Sequence, residues 1–279
     1  ISGGVDSVVL LDVMSRTEKD IVVAHFDHGI RQDSAADARF VEALAAKYRA
    51  QYIGQREELG ADASEEQARE RRYAFLNDIA ADFGGTVATA HHQDDLLETI
   101  ALNIVRGTGW RGLAPMNQPQ VLRPLLDIAK AELVSYAIEH GLAWREDQTN
   151  DSPRYLRNRL RALLASRSPD DKAKLTRLYE RQKHLRRQIE QELEHYCTRH
   201  ITRDKQGQLV LRRYDLIMLP SQVAIELLRY ATDGYLTSPQ LRQLLLFTKV
   251  GKSGKQMRWK RVGVRLSVHD LSFANDKTN

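Results

Sequence analysis

A short segment near the start of the chain carries the residue types that a phosphate-binding turn needs. Its paired glycines, Gly3 and Gly4, permit a tight turn that points several backbone N–H groups at one spot. The apolar run that follows predicts a helix, whose N-terminus adds partial positive charge. Asp6 could ligate a Mg²⁺ ion that accompanies phosphates. We therefore predict a phosphate-binding segment composed of Ser2, Gly3, Gly4, Val5, Asp6 and Ser7.

Two well-known phosphate-binding motifs are excluded in this segment. It lacks Gly-Lys-Ser/Thr, so it is not a Walker A loop, and its glycines do not have the G-x-G-x-x-G spacing of a dinucleotide fingerprint. A glycine pair alone also fits an ordinary helix-capping turn, whereas the complete segment ahead of a helix favours phosphate binding.

A second group of polar residues lies between residues 89 and 99. Asp95 and Glu98 are three positions apart on a predicted helix, so their carboxylates share a face. Such a face attracts an ammonium group and could accept its proton before a nucleophilic attack. The alternative is an acidic helix N-terminus that only complements the helix dipole. His91 and His92 precede the acids, but adjacent strand residues point to opposite faces, which argues against one shared zinc ion.

The elements that must position these residues alternate between strands and helices over the first half of the chain. The strands are predicted from short apolar runs at 21–24, 51–53 and 86–89. The helices are predicted from periodicity and capping signals at 33–48, 64–83, 93–106 and 128–140. This alternation predicts an α/β fold with a parallel sheet covered on both faces. Because ligands bind at the carboxyl ends of such strands, we predict that Asp27 and His28 lie beside the bound nucleotide or its metal ion.

Beyond about residue 150 the pattern changes. A long helix is predicted from about 170 to 196, and a small α+β module follows, with helices at 222–231 and 240–247 and terminal strands within 256–268. We predict a catalytic domain at 1–165, a helical connector at 166–205 and a small C-terminal domain at 206–279.

Basic residues crowd the segment from 154 to 167 and the segment from 249 to 265. No acidic residue interrupts the second cluster, which suits a nucleic-acid phosphate backbone. Trp259 could stack on a base, although core burial of a strand tryptophan is more common. The residues predicted to bind nucleic acid in this cluster are Lys255, Arg258, Lys260 and Arg261.

The composition excludes several classes of protein. The chain has 42% hydrophobic and 28% charged residues and a net charge of +5, a balance typical of a soluble globular protein. No apolar stretch approaches the roughly 20 residues of a membrane helix. The low cysteine content fits a reducing compartment, and we expect a cytoplasmic location. The single cysteine, Cys197, excludes an internal disulfide and CxxC-type metal sites. Ile1 directly precedes the glycine turn, so we expect a supporting strand outside this sequence.

The segment 2–7 resembles the PP-loop of the N-type ATP pyrophosphatases, which cleave ATP to AMP and pyrophosphate through an adenylated substrate. Further segments, in the same order and spacing, resemble the tRNA(Ile)-lysidine synthetases, and the resemblance covers residues 2 to about 165. These segments are 25–31, 68–73, 89–99, 106–109, 112–113, 123–125, 147–150 and 157–161.

The resemblance implies a reaction and its participants. ATP adenylates the 2-carbonyl oxygen of the wobble cytidine in a CAU anticodon, and the ε-amine of free L-lysine displaces AMP to form lysidine. The implied ligands are ATP with Mg²⁺ on Asp6, lysine, and isoleucine tRNA. The resemblance implies that His91, Asp95 and Glu98 hold the lysine and are catalytic together with Asp6. It also places Arg157, Asn158 and Arg161 near the active site and the tRNA.

Alternative functions remain open at this point. One is a tRNA 2-thiolase with the same loop, but those enzymes typically need catalytic cysteines or an iron–sulfur cluster. Another is an inactive tRNA-binding relative. Leu96, where a glutamine is common, and the short C-terminal part depart from the family pattern. A homodimer is a further expectation. Arg31, Arg69 and Arg72 could contact phosphates, and the alternative is that they are simply solvated.

Overall fold

A computed structural model describes residues 1–18, 20–29, 34–58, 60, 65–118, 120–145 and 156–275. The chain divides into two compact units, Ile1–Lys183 and His184–Asn279, which we call the first and second unit. Arg31, the first residue of the helix predicted at 64–83 and the segment 147–150 lie outside the described residues. The domain bounds predicted at 165 and 205 stay a prediction.

The first unit alternates helices and strands, as its hydrophobic pattern predicts. Strand β1 pairs in parallel with β2, and β3 pairs in parallel with β4, so the described strands form two separate parallel pairs. The α/β class with parallel strands is therefore confirmed. The elements are α1 (Val5–Thr17), β1 (Val22–Asp27), α2 (Ser34–Lys47), β2 (Gln51–Arg56), α3 (Glu65–Asp82), β3 (Val87–Ala88), α4 (Gln93–Val105), a 3₁₀ helix (Trp110–Leu113), β4 (Val121–Leu122), α5 (Lys130–Glu139) and α6 (Leu156–Ala165). Helix α7 (Pro169–His200) begins in the first unit and ends in the second.

Helix α1 is the most deeply buried element of the first unit. Its apolar run Val8, Val9, Leu10 and Leu11 packs into a core that also includes Val23 of β1 and residues of α2 and α5. A helix that is apolar on most of its surface must lie inside the fold. The turn that precedes α1 is therefore anchored by one of the best-packed helices of the unit.

One buried carboxylate ties α1 to its neighbours. Asp12 accepts hydrogen bonds of 2.7 Å from the hydroxyls of Tyr48 and Tyr136, and one of 2.8 Å from Arg16. Burial alone would raise the pKa of Asp12, but the two tyrosine hydroxyls and Arg16 outweigh burial and lower that pKa. The charged form of Asp12 is thus the form that the folded unit stabilises.

The second unit is a small α+β fold around its own core. The sheet is antiparallel in the order β5-β6-β9-β8-β7. The predicted terminal strands correspond to β7 and β8, whereas β9 was not predicted. Cys197 and Trp259 pack with this core. The elements are β5 (Thr202–Arg203), β6 (Leu209–Arg212), α8 (Arg213–Met218), α9 (Ser221–Ala231), α10 (Ser238–Val250), β7 (Gln256–Arg258), β8 (Val262–Leu266) and β9 (Asp270–Asn275).

Among the helices of the described residues, none is both long and apolar enough to cross a membrane.

Replacing Tyr136 by Phe removes one hydrogen bond to the Asp12 carboxylate. We expect the free energy of unfolding at neutral pH to fall by about 1.5–3 kcal/mol, because a buried charge loses a donor. Urea unfolding measures this loss, and Tyr52→Phe, whose hydroxyl makes no hydrogen bond to a described residue, is the control.

The same variant has a predictable pH dependence. Because the folded-state pKa of Asp12 is lowered, its contribution is full above the ordinary value of 3.8 and is lost as the pH falls through the folded-state pKa. The stability gap between wild type and Tyr136→Phe should therefore shrink in acid. Equal stabilities at neutral pH would contradict the proposed network.

Candidate active site

The phosphate-binding segment forms the turn that leads into α1. Gly3 has a φ of +92°, and a Cβ there would lie 3.3 Å from Cδ1 of Phe40, so the turn requires glycine. The Gly3 N–H donates to Oγ of Ser7 at 3.1 Å, and this hydroxyl donates to the carbonyl of Gly4 at 2.9 Å. The Ser7 hydroxyl therefore stabilises the turn by hydrogen bonds to its backbone. Ser2, Gly4 and Val5 are the other residues of the turn.

Asp6 is held by a lysine that the sequence did not single out. Nζ of Lys130 lies 2.6 and 2.7 Å from the two carboxylate oxygens of Asp6. The backbone N–H of Lys130 donates to Oδ2 of Asp94 at 2.8 Å. One sequence signal was available: Lys130 is the first residue of α5, where a positive charge opposes the helix dipole. The carboxylate of Asp6 offsets this unfavourable charge.

His92 is the histidine that joins the two predicted groups of residues. Its Nε2 lies 3.4 Å from Oδ2 of Asp95 and 3.7 Å from Oδ2 of Asp6, and its side chain is only 9% exposed. Its Nδ1 is buried without a hydrogen-bond partner among the described residues. The His92 N–H also donates to Asp95 at 3.1 Å across the first turn of α4. The imidazole thus lies between the phosphate-binding segment and the acidic face.

His91 has a different, cationic environment. Its Nδ1 shares a 2.8 Å hydrogen bond with Oγ1 of Thr89. Burial lowers the pKa of His91 most, the guanidinium groups of Arg123, Arg69, Arg72 and Arg157 contribute in that order, and together they bring it to about 3. A neutral ring among arginines favours an anion over an ammonium group. The lysine-binding role of His91 stays a prediction.

Asp95 and Glu98 share a face of α4, as predicted, but their surroundings differ. Burial raises the pKa of Asp95, and nearby Glu98 adds to the rise, while His92 and Arg157 oppose it. Glu98 is almost fully buried and bound to α6: its carboxylate lies 3.2 Å from Nε of Arg157 and 2.6 Å from Nε of Arg161. Asp95 is therefore the carboxylate better suited to accept a proton, whereas Glu98 already holds two guanidinium groups.

Asp27 is the last residue of β1, and His28 follows it directly. Oδ1 of Asp27 accepts a 2.9 Å hydrogen bond from the Gly29 N–H. Burial and then Arg72 lower the pKa of His28, although Asp27 and Glu57 act in the opposite direction. Their predicted place beside the nucleotide stays a prediction.

The basic cluster of the second unit lies on β7, at the residue before it and in the turn into β8. Lys255, Arg258, Lys260 and Arg261 are all exposed. The Arg261 guanidinium lies 5.4 Å from the ring centroid of Tyr235, an aromatic residue that sequence reasoning did not connect with this cluster. Trp259 is partly buried and packs against the core of the second unit, and its stacking on a base stays a prediction.

Comparison with known proteins identifies similar chains. A family model described as a PP-loop domain matches residues 1–167. The tRNA(Ile)-lysidine synthase of Geobacter sulfurreducens is 41% identical over 177 residues, which cover 58% of this chain and 37% of that protein. The tRNA(Ile)-lysidine synthase of Deinococcus deserti is 36% identical over 227 residues, which cover 76% of this chain and 42% of that protein. The chain thus spans about two fifths of the length of these relatives.

A solved structure supports the fold independently. The U34-tRNA thiolase NcsA from Methanococcus maripaludis, with its [4Fe-4S] cluster, aligns with a TM-score of 0.54 at 20% identity. The alignment covers 66% of this chain and 70% of that chain. At this identity the likeness concerns the fold alone.

Glu98→Gln tests the ion pairs with Arg157 and Arg161 that join α4 to α6, which we call the Glu98 clamp. Removing the charge weakens the hold on Arg157 and Arg161, and we expect a stability loss of about 1.5–3 kcal/mol. Amide hydrogen exchange in Leu156–Ala165 should become faster, while Glu139→Gln, at the exposed end of α5, should leave it unchanged. Exchange at the wild-type rate in Glu98→Gln would show that the ion pairs do not hold α6.

The environment of His91 makes a second prediction. Its ring should stay neutral between about pH 5 and 8, where an ordinary histidine titrates. Histidine-selective NMR over a pH series measures this, with His91→Gln assigning the signal. Arg69→Met should raise the His91 pKa, because it removes a nearby positive charge. A midpoint near 6.5 in the wild type would contradict the buried, cationic environment.

Proposed function

The chain belongs to the PP-loop family, and we propose that it ligates L-lysine to the wobble cytidine of the CAU anticodon in isoleucine tRNA. ATP would activate the cytidine, and AMP and pyrophosphate would leave. The observation that carries this proposal is the position of His92, which lies within 3.7 Å of both Asp6, in the phosphate-binding segment, and Asp95, on the acidic face of α4. One site thus combines groups suited to a polyphosphate and to an amine.

The first half of the reaction concerns the nucleotide. PP-loop domains bind ATP, and the Ser2–Ser7 turn at the N-terminus of α1 offers backbone N–H groups and the helix dipole to its phosphates. Attack of the cytidine 2-carbonyl oxygen on the α-phosphorus would form the adenylated base and release pyrophosphate. The turn would stabilise the negative charge of that leaving group.

Asp6 fits the Mg²⁺ ion that accompanies ATP. Its carboxylate is partly exposed and already holds one cationic group, the ammonium of Lys130. The described residues contain no group of three or more His, Cys, Asp or Glu side chains that could hold a metal by themselves. That agrees with the usual Mg²⁺ site, in which one carboxylate shares the ion with phosphates. When bound, the ion neutralises phosphate charge.

The second half of the reaction needs a neutral amine. The lysine ε-ammonium must lose a proton before its nitrogen attacks C2 of the activated cytidine and AMP leaves. We assign the proton to Asp95, because burial raises its pKa and makes it a better proton acceptor than an ordinary aspartate. Glu98 would act through its ion pairs with Arg157 and Arg161. His91 would border the lysine on the side of the site that the arginines make cationic.

Contacts with the tRNA are proposed for both units. In the second unit Lys255, Arg258, Lys260 and Arg261 offer an exposed cationic strip, which Tyr235 extends with an aromatic ring. In the first unit Arg157, Asn158 and Arg161 lie on α6, next to the acidic face. A cytoplasmic location and a homodimer are likewise proposals.

A 2-thiolase activity is disfavoured by the chemistry of the only thiol. Cys197 is buried in the core of the second unit, and burial raises its pKa to about 11. Such a thiol is protonated at neutral pH and is a poor nucleophile. Sulfur transfer through a protein cysteine has no candidate in this sequence.

Lysine incorporation tests the proposed function. The protein is incubated with ATP, labelled lysine and an isoleucine tRNA transcript with a CAU anticodon, or with the same transcript carrying another anticodon. We expect label in the CAU transcript alone, with one AMP released per lysine. ATP-independent tRNA binding without incorporation would favour the inactive tRNA-binding alternative.

Asp95→Asn tests the assigned proton acceptor. Lysine incorporation should fall by about a hundredfold or more, because a carboxamide does not take up the proton. ATP affinity should stay near the wild-type value, and Asp82→Asn at the exposed end of α3 should leave both quantities unchanged. A parallel loss of ATP affinity would show that Asp95 belongs to the nucleotide site instead.

A further inference from the structure

We propose that Lys130 is a polyphosphate-binding residue that also neutralises Asp6 before the nucleotide arrives. Its ammonium would move from Asp6 to a phosphate oxygen of the nucleotide, which leaves Asp6 free for the metal ion. This inference rests on the proposed use of ATP at this site and adds a residue to it.

The first support is the geometry of the ion pair. Nζ of Lys130 contacts both oxygens of Asp6, at 2.6 and 2.7 Å, and so occupies the position on the carboxylate that a cation would take. The pair is not sealed in the core, because 41% of the Lys130 side chain and 26% of the Asp6 side chain are exposed. An entering anion could therefore reach the ammonium without unfolding of its surroundings.

The second support is the place of Lys130 in the fold. It is the first residue of α5, and its backbone N–H donates to the carboxylate of Asp94, in the first turn of α4. The Gln93 N–H, at the start of α4, donates to the carbonyl of Ile128 at 2.9 Å. The N-termini of α1, α4 and α5 are thus linked around Asp6. Three helix N-termini together favour an anion with more charge than one carboxylate carries.

The third support is the order in which charged groups would pair as the nucleotide binds. With Lys130 on Asp6 the pair is neutral, so a divalent ion alone gains little there. A triphosphate brings several negative charges and competes with Asp6 for the ammonium. The released carboxylate would then be free to hold the ion that accompanies the nucleotide. The metal ion and the nucleotide should therefore bind together rather than separately.

Lys130→Met gives two changes of opposite sign. ATP affinity in the presence of Mg²⁺ should fall about ten- to a hundredfold, the loss expected for one charge-assisted hydrogen bond. Affinity of the nucleotide-free protein for Mn²⁺, used as a paramagnetic probe of the metal site, should rise, because Asp6 loses its competing ammonium. Equilibrium dialysis measures ATP and adenosine binding, and electron paramagnetic resonance measures free Mn²⁺.

The controls separate binding from support of the fold. Lys130→Arg should keep most of the ATP affinity. Lys174→Met removes an exposed lysine that is ion-paired with Asp170 and should change neither ATP nor Mn²⁺ binding. Adenosine affinity should be unchanged in Lys130→Met, because adenosine has no phosphate.

Three outcomes would count against the proposals, and they differ. Unchanged ATP affinity in Lys130→Met overturns the phosphate-binding role of Lys130. A parallel loss of ATP and adenosine affinity with a lower melting temperature shows a structural tie and also overturns it. Failure of the wild-type protein to bind ATP refutes the proposed function itself.

Discussion

The ion pair between Asp6 and Lys130 is the interaction on which the arrangement of the site depends. Asp6, Asp94 and Asp95 lie close to one another, around the imidazole of His92. Carboxylates at this spacing repel each other unless cations lie among them. Lys130 supplies that cation with its side chain and supports Asp94 with its main chain. The helices that carry these acids can therefore begin side by side.

Electrostatic character changes sharply along a few residues of one segment. His91 lies among arginines, whereas Asp95, four residues later, lies between His92 and Glu98. A substrate with both an ammonium and a carboxylate, such as free lysine, would find a partner for each charge in this region. The fold produces this contrast because α3 and α6 bring arginines close to His91, whereas the segment 89–99 contains no arginine of its own.

The sequence predicted those features that local patterns determine. Apolar runs predicted β1, β2 and β3, and capping signals predicted most helices to within a few residues. Pairing into two parallel pairs was not predictable, because it depends on contacts between distant segments. Strand β9 escaped notice because only Leu271 and Phe273 mark its buried face. The clamp on Glu98 involves Arg157 and Arg161, at positions 59 and 63 residues away, and no periodicity reports such a pairing.

The link from residue 130 to Asp94 has an evolutionary consequence. It is made by the main-chain N–H, so any residue except proline preserves it. The connection between α4 and α5 therefore does not depend on which side chain stands at this position, whereas the positive charge beside Asp6 does. A single substitution at residue 130 could therefore change or remove the positive charge beside Asp6 in a divergent copy of the domain, while the hydrogen bond between α4 and α5 is kept.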